Sequence, residues 1–118
     1  MARLKVSIVL DSGARIGPGK ASLLESVRDT GSISAAARGM GMSYKRAWLL
    51  LDSVNQAFGT PAVTGTPGGR RGGGARLTAF GTELLDRYRR LEAQAEADSA
   101  SELEALEGAA RTSPGAKV

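Results

Sequence analysis

Four consecutive residues, Ser43, Tyr44, Lys45 and Arg46, place two hydroxyls and two cations at the start of an apolar-periodic stretch. A hydroxyl donor followed by Lys and Arg at a helix N-terminus suits an anion. The free backbone amides and the helix dipole favour phosphate there, and the long cationic side chains reach the N7 and O6 acceptors of guanine. Ser32 and Ser34 lie eleven and nine residues before Ser43, and a glycine-rich segment further on carries Arg70, Arg71 and Arg76. Each of these is a donor, and together they suit phosphate oxygens and base edges. The candidate chemistry is therefore polyanion binding. The complementary acid, base and metal-ligand chemistries are poorly supplied: the 118 residues hold no cysteine and no histidine, which excludes zinc knuckles, disulfides, Cys nucleophiles and Ser-His-Asp arrangements. No cofactor or metal site is expected. Asp52, Glu83 and Asp86 fall on exposed helix faces by periodicity instead of converging, so the chain reads as a non-enzyme.

Charge is distributed to match. Residues 1–90 hold fourteen basic and six acidic residues, a net +8, and residues 91–118 hold two basic and six acidic, a net −4. This is a basic body with an acidic end. Arg3 and Lys5 interrupt the apolar N-terminal stretch, so no signal-peptide core is expected, and no run approaches the ~20 apolar residues of a membrane span. The expected setting is cytoplasmic and nucleoid-associated, without a membrane.

The elements that must position these donors follow from periodicity. Leu4, Val6, Ile8 and Leu10 alternate with other residues as in a strand with one buried face. Residues 11–19 form a glycine-rich turn anchored by Ile16. Leu23, Leu24 and Val27 recur at helical spacing up to Thr30, where Gly31 stops the first helix. Ser32 or Ser34 caps a short second helix through Ala35–Met40, Gly41 supplies a tight turn, and Ser43 caps a third helix from Tyr44 to about Phe58. Ile33, Ala36, Met40, Met42, Ala47 and Leu50 form the inner face. Ala47, Trp48, Leu51, Val54 and Phe58 form the third helix's apolar stripe.

Two helices joined by a short glycine-containing turn make a helix-turn-helix, whose second helix enters the major groove. Residues 62–66 and 75–78 flank a glycine loop and predict a hairpin, with the Leu4–Leu10 strand as its third strand. The loop lacks the Lys-Ser/Thr ending of a P-loop, and a wing laid against phosphate accounts for it better. From Thr78 or Phe80 one long helix is expected to about Leu106, frayed or poorly packed beyond Ala93. Leu84, Leu85, Tyr88, Leu91 and Ala95 form its stripe. The first three suit the domain's own core, and Leu91 onward suits a second copy of the chain. The expectation is thus an α+β winged helix-turn-helix over 1–90, a continuation of the dimerisation helix over 91–110, and a disordered tail over 111–118.

The stretches GSISAAA, GMSYKRAW with Asn55 downstream, and GGRRGGGARLT followed by Gly81 resemble the N-terminal DNA-binding domain of the ModE-type molybdate-responsive transcriptional regulators, which are akin to LysR-type regulators. The resemblance covers about residues 20–91. It implies a homodimer on double-stranded DNA, controlling molybdate-uptake or molybdoenzyme genes. It places Ser43, Tyr44, Lys45 and Arg46 in the major groove and the glycine wing, with Arg70, Arg71 and Arg76, on the adjacent backbone. Members of the family carry C-terminal molbindin-type sensor domains for which this chain leaves no room. The expectation is a regulator without its own oxyanion sensor, with a separate molybdate-binding protein as a further partner. Two alternatives remain open: a glycine-arginine loop that binds RNA, and a small regulator that binds molybdate directly.

Overall fold

A computed structural model describes residues 1–69 and 72–112. Its elements run β1 (Ile8–Val9), β2 (Arg15–Ile16), α1 (Pro18–Thr30), α2 (Ile33–Gly39), α3 (Tyr44–Phe58), β3 (Val63–Gly69), β4 (Gly72–Leu77), α4 (Ala79–Asp98) and α5 (Ala100–Thr112). The fold is the expected α+β winged helix-turn-helix.

Each helix boundary has a local cause. α1 opens on Pro18, whose missing N–H costs nothing in a first turn, and closes on Gly31 at φ 71°, whose N–H bonds the Val27 carbonyl. Ser32 is the cap of α2, its side chain accepting the Ala35 N–H at 3.1 Å. Gly41 takes φ 67° in the turn to α3, a backbone shape that a side chain would oppose. Ser43 then caps α3 by accepting the Arg46 N–H at 3.1 Å.

One core unites these elements. Leu23, Leu24 and Val27 of α1, Ala36 and Ala37 of α2, Ala47, Leu51 and Val54 of α3, Ala75 of β4, and Leu85 and Tyr88 of α4 are all buried with Ile16. Ile33, Met40, Met42 and Leu50 pack against them from partly exposed positions. Ala37 is 2% exposed on α2, a site where a small side chain permits close packing.

Four expectations are corrected by the structure. The Leu4–Leu10 alternation is real, since Leu4, Val6, Ile8 and Leu10 are half-buried and the residues between them exposed. It does not, however, add a third strand to the wing. Gly13 at φ 92° turns the chain back, and Ile8 pairs with Ile16 and Val9 with Arg15 in a separate two-stranded sheet. Second, the C-terminal helix is not continuous to Leu106. Ser99 ends α4, and α5 runs on to Thr112. Asp98, Ser99 and Ser101 are weak helix formers whose side chains compete for backbone groups, which makes this the place where the helix breaks. Third, Trp48 is not part of the buried stripe: it is 46% exposed. The tail expected to begin at residue 111 is helical through Thr112, and residues 113–118 lie outside the described residues.

The hairpin of β3 and β4 pairs Val63 with Leu77, Thr64 with Arg76 and Gly65 with Ala75, with an irregularity between Thr66 and Gly69. α4 is held to α1 by Arg89, whose guanidinium bonds Glu25 at 3.1 Å and Glu92 at 3.0 Å. Arg89 is only a third exposed; burial alone would lower its pKa, but the Glu92 and Glu25 carboxylates outweigh that and raise it.

Candidate nucleic-acid interface

α3 turns its core-facing arc, Ala47, Leu51 and Val54, toward α1 and α2. At about 100° per residue, Lys45 and Leu49 then face most directly outward, Tyr44 and Trp48 flank them on one side, and Arg46 on the other. All five side chains are exposed. Ser43 is exposed at the helix start; its hydroxyl oxygen accepts the Arg46 N–H, and its own proton stays available to a phosphate oxygen. Ser32 is half-buried in the equivalent capping role on α2, and Ser34 is exposed.

Between α3 and the hairpin runs a groove of about 410 Å³, whose walls include Ser32, Ser34, Tyr44, Trp48, Asp52, Thr64 and Thr66. The structure thus brings the serines of α2 and Tyr44 of α3 to one surface with the hairpin. Arg76 is exposed on β4 opposite Thr64. Arg70 and Arg71 lie outside the described residues.

What holds this surface together is a set of backbone-directed bonds. Asn55, on α3, donates from Nδ2 to the Val63 carbonyl at 3.0 Å and accepts on Oδ1 from the N–H groups of Ala62 at 2.8 Å and Val63 at 3.1 Å. The Ala75 N–H of β4 bonds the Gly31 carbonyl, in the turn between α1 and α2, at 3.0 Å. Thr78 caps α4 by accepting the Gly81 N–H, donates its hydroxyl to the Pro61 carbonyl at 2.7 Å, and bonds Ala62 through its own N–H. Gly81 sits so close that a side chain there would overlap the Ala62 carbonyl. The hairpin is therefore fastened to α3, to the α1–α2 turn and to α4 by short bonds to main-chain atoms.

The stripe of α4 divides. Leu85 and Tyr88 are each 1% exposed and belong to the domain's own core, so their side chains cannot themselves touch a second copy. Leu84 packs against that core from a partly exposed position, Ala95 is half-buried, and Leu91 is exposed. Leu84 and Leu91 border an apolar groove of about 430 Å³ with Ile8, Leu10, Ile16 and Phe58. Among the described residues no group of three or more His, Cys, Asp or Glu side chains could hold a metal ion, and no helix is long and apolar enough to cross a membrane.

Sequence reasoning missed two features of this surface. The Asn55 clamp had no periodic signature, because its partners lie seven and eight residues away in a non-helical segment. Trp48 and Leu49 were detectable: a helical wheel centred on Ala47, Leu51 and Val54 leaves Leu49 on the opposite side and Trp48 at the margin.

The model of the lysR family of bacterial regulatory helix-turn-helix proteins matches residues 20–82. The chain is 47% identical over 87 residues to the molybdenum-pterin-binding protein MopB of Rhodobacter capsulatus, a match covering 73% of this chain and 32% of that protein. It is 38% identical over 88 residues to the molybdenum transport protein ModE of Azotobacter vinelandii, covering 75% and 33%. With the DNA-binding transcriptional dual regulator ModE of Escherichia coli K12 it shares 36% identity over 87 residues, covering 74% and 33%. The chain thus covers about a third of the length of the curated relatives it matches. Its fold is similar to that of the CbnR DNA-binding domain in a DNA complex, with a TM-score of 0.59 at 20% identity over 75% of this chain and 95% of that one. The resemblance to ModE-type regulators carried by the GSISAAA and SYKRAW stretches is borne out by these matches. From the family match over residues 20–82, the chain belongs to the lysR family of bacterial regulatory helix-turn-helix proteins.

Proposed function

We propose that the chain is the DNA-binding unit of a cytoplasmic transcriptional regulator that controls molybdate-uptake or molybdoenzyme genes, and that it acts as a homodimer and not as an enzyme. The observation that carries this reading is the outward face of α3, with Tyr44, Lys45 and Arg46 exposed at its N-terminal end and the hairpin fastened beside it by Asn55. A helix so presented enters a major groove by its first turns while the hairpin lies on the neighbouring backbone. The names of the relatives support the choice of genes: ModE is named a molybdenum transport protein in Azotobacter vinelandii and a DNA-binding transcriptional dual regulator in Escherichia coli.

In this reading Lys45 and Arg46 reach base edges, Ser32, Ser34, Ser43 and Arg76 hold phosphate, and Arg70 and Arg71 extend the wing's hold. Leu84, Leu91 and Ala95 supply the dimer contact, with Leu85 and Tyr88 backing them from inside the core. Two copies related by a two-fold axis would read half-sites about one DNA turn apart.

The test is a titration of duplex DNA selected by the protein from a random pool, at two salt concentrations. Arg46→Ala is expected to relax sequence choice, at about 1–3 kcal/mol per base contact, and Arg71→Ala to weaken all duplexes and flatten the salt slope. Wild-type affinity and slope in both variants would refute these roles. Single-stranded RNA competing better than duplex DNA would favour an RNA-binding hairpin instead. Saturable heat on adding molybdate would show that this chain senses the oxyanion itself.

A further inference from the structure

The outward face of α3 is not a purely polar one. Beside Lys45 and Arg46 it carries Trp48, 46% exposed, and Leu49, 51% exposed, with Tyr44 next to Trp48 one turn earlier. Two large apolar side chains adjacent on the exposed side of one helix mark a contact surface. Among the described residues Tyr44, Lys45, Trp48 and Leu49 make no side-chain hydrogen bond to the rest of the chain. Charge complementarity points to the occupant: the apolar pair is bordered by exposed Lys45 and Arg46 on its own helix, within a body of net +8, with half-buried Asp52 the acidic side chain one turn further on. A positive border along the N-terminal side of an apolar pair matches an anionic surface with an apolar patch inside it. The major groove of duplex DNA has that character wherever thymine occurs, since the C5-methyl is the apolar group among the base edges exposed there.

We infer that Trp48 and Leu49 read thymine, by excluding water from its C5-methyl groups in the middle of each half-site. Lys45 and Arg46 select guanine acceptors beside them. The inference rests on the DNA-binding reading above and deepens it: sequence choice comes from methyl contacts as well as from hydrogen bonds, and the half-site contains thymine within the reach of α3's second turn.

The experiment starts from duplexes that the intact chain selects from a random pool. Each thymine of the selected site is then replaced in turn by deoxyuridine, which removes the methyl alone and leaves every hydrogen-bonding group in place. One or two positions per half-site are expected to lose affinity about fourfold, the factor for one buried methyl. Trp48→Ala and Leu49→Ala are each expected to abolish the thymine-to-deoxyuridine difference at one of those positions and to keep it at the other. Thermal unfolding of Leu49→Ala should match the parent's, because that side chain faces outward; Trp48→Ala, whose side chain is partly packed at the margin of the core face, is compared below the midpoint of its own melt. Equal affinity of the wild-type chain for thymine and deoxyuridine at every position would overturn the inference, and this measurement needs no variant to fold. Equal weakening of thymine and deoxyuridine duplexes by Trp48→Ala would also overturn it, as would loss of the dimer on sedimentation with DNA affinity per subunit retained. Failure to select any duplex would instead remove the DNA-binding reading itself, so the two failures are distinguishable.

Discussion

Asn55 and Val63 are joined by two hydrogen bonds through the same carboxamide: Nδ2 donates to the Val63 carbonyl at 3.0 Å, and Oδ1 accepts from the Val63 N–H at 3.1 Å. The pair completes both main-chain groups of the first residue of β3, and Oδ1 takes the Ala62 N–H as well. A side chain of α3 thus does for the root of the hairpin what a neighbouring strand would do.

Replacing Asn55 tests that clamp. Asn55→Ala removes three bonds, each worth about 1 kcal/mol net, and is expected to cost about 2–3 kcal/mol in denaturant unfolding. Asn55→Asp keeps an acceptor for the two N–H groups but sets an oxygen against the Val63 carbonyl, so its cost should fall between the two. Duplex affinity should drop in the same order, because the hairpin loses its fixed position beside α3.

Gly81→Ala is expected to destabilise the chain by about 3 kcal/mol, the upper end for overpacking. The added methyl would overlap the Ala62 carbonyl, which is itself tied to Thr78. Gly108→Ala is the control: a methyl there meets nothing within 4 Å, and the better helix propensity within α5 should stabilise that helix by about 1 kcal/mol at most. Parallel melts of the two variants check both signs.

The Tyr88 hydroxyl donates to the Val6 carbonyl at 2.6 Å, which binds the N-terminal segment to α4. Burial, with the nearby Glu92 carboxylate adding to it and Arg89 opposing, raises the phenol above its ordinary value. A phenol whose folded pKa exceeds its unfolded pKa of about 10 contributes stability fully below that value, and the contribution is lost as pH rises through the folded pKa. Denaturant unfolding from neutral to alkaline pH should therefore show stability falling above about pH 10. Tyr88→Phe should lack this part of the fall and be weaker at neutral pH by about 1 kcal/mol.

Leu91 and Leu85 occupy the same helix with opposite surroundings. Leu91→Glu is expected to leave unfolding nearly unchanged and to turn a dimer into a monomer on sedimentation. Leu85→Ala removes a fully buried side chain and should cost about 2–5 kcal/mol without a specific effect on association.

Much of this architecture was legible from spacing. The cap at Ser43, the stop at Gly31 and the turn at Gly41 are local events, set by the few residues around them, and they stand where the sequence places them; at the start of α2, where Ser32 and Ser34 were both open, Ser32 is the cap. Partnerships were harder to read. The alternation from Leu4 to Leu10 specifies which residues of a strand face inward but not which strand lies beside it; Gly13 decided that by turning the chain back on Ile16. The interruption at Ser99 depended on a contest between weak helix formers that a count of apolar positions does not register. At the interface, the polar donors of α3 were plain from their order along the chain. Trp48 was assigned inward because large apolar residues usually are buried, and that default fails at the margin of the core-facing arc of α3. Asn55 could not be paired with Val63 until α3 and β3 were placed together.

The bond between the Ala75 N–H and the Gly31 carbonyl joins main chain to main chain. Substituting either residue's neighbours on the outer surface leaves it intact. The distance from the hairpin to the α1–α2 turn is thus set main chain to main chain, beside the Asn55 clamp on α3, whereas in the proposed reading the letters read against it belong to Lys45, Arg46, Trp48 and Leu49. On that reading, exchanging those four side chains is expected to rewrite the preferred sequence and to leave the spacing at which it is read unchanged.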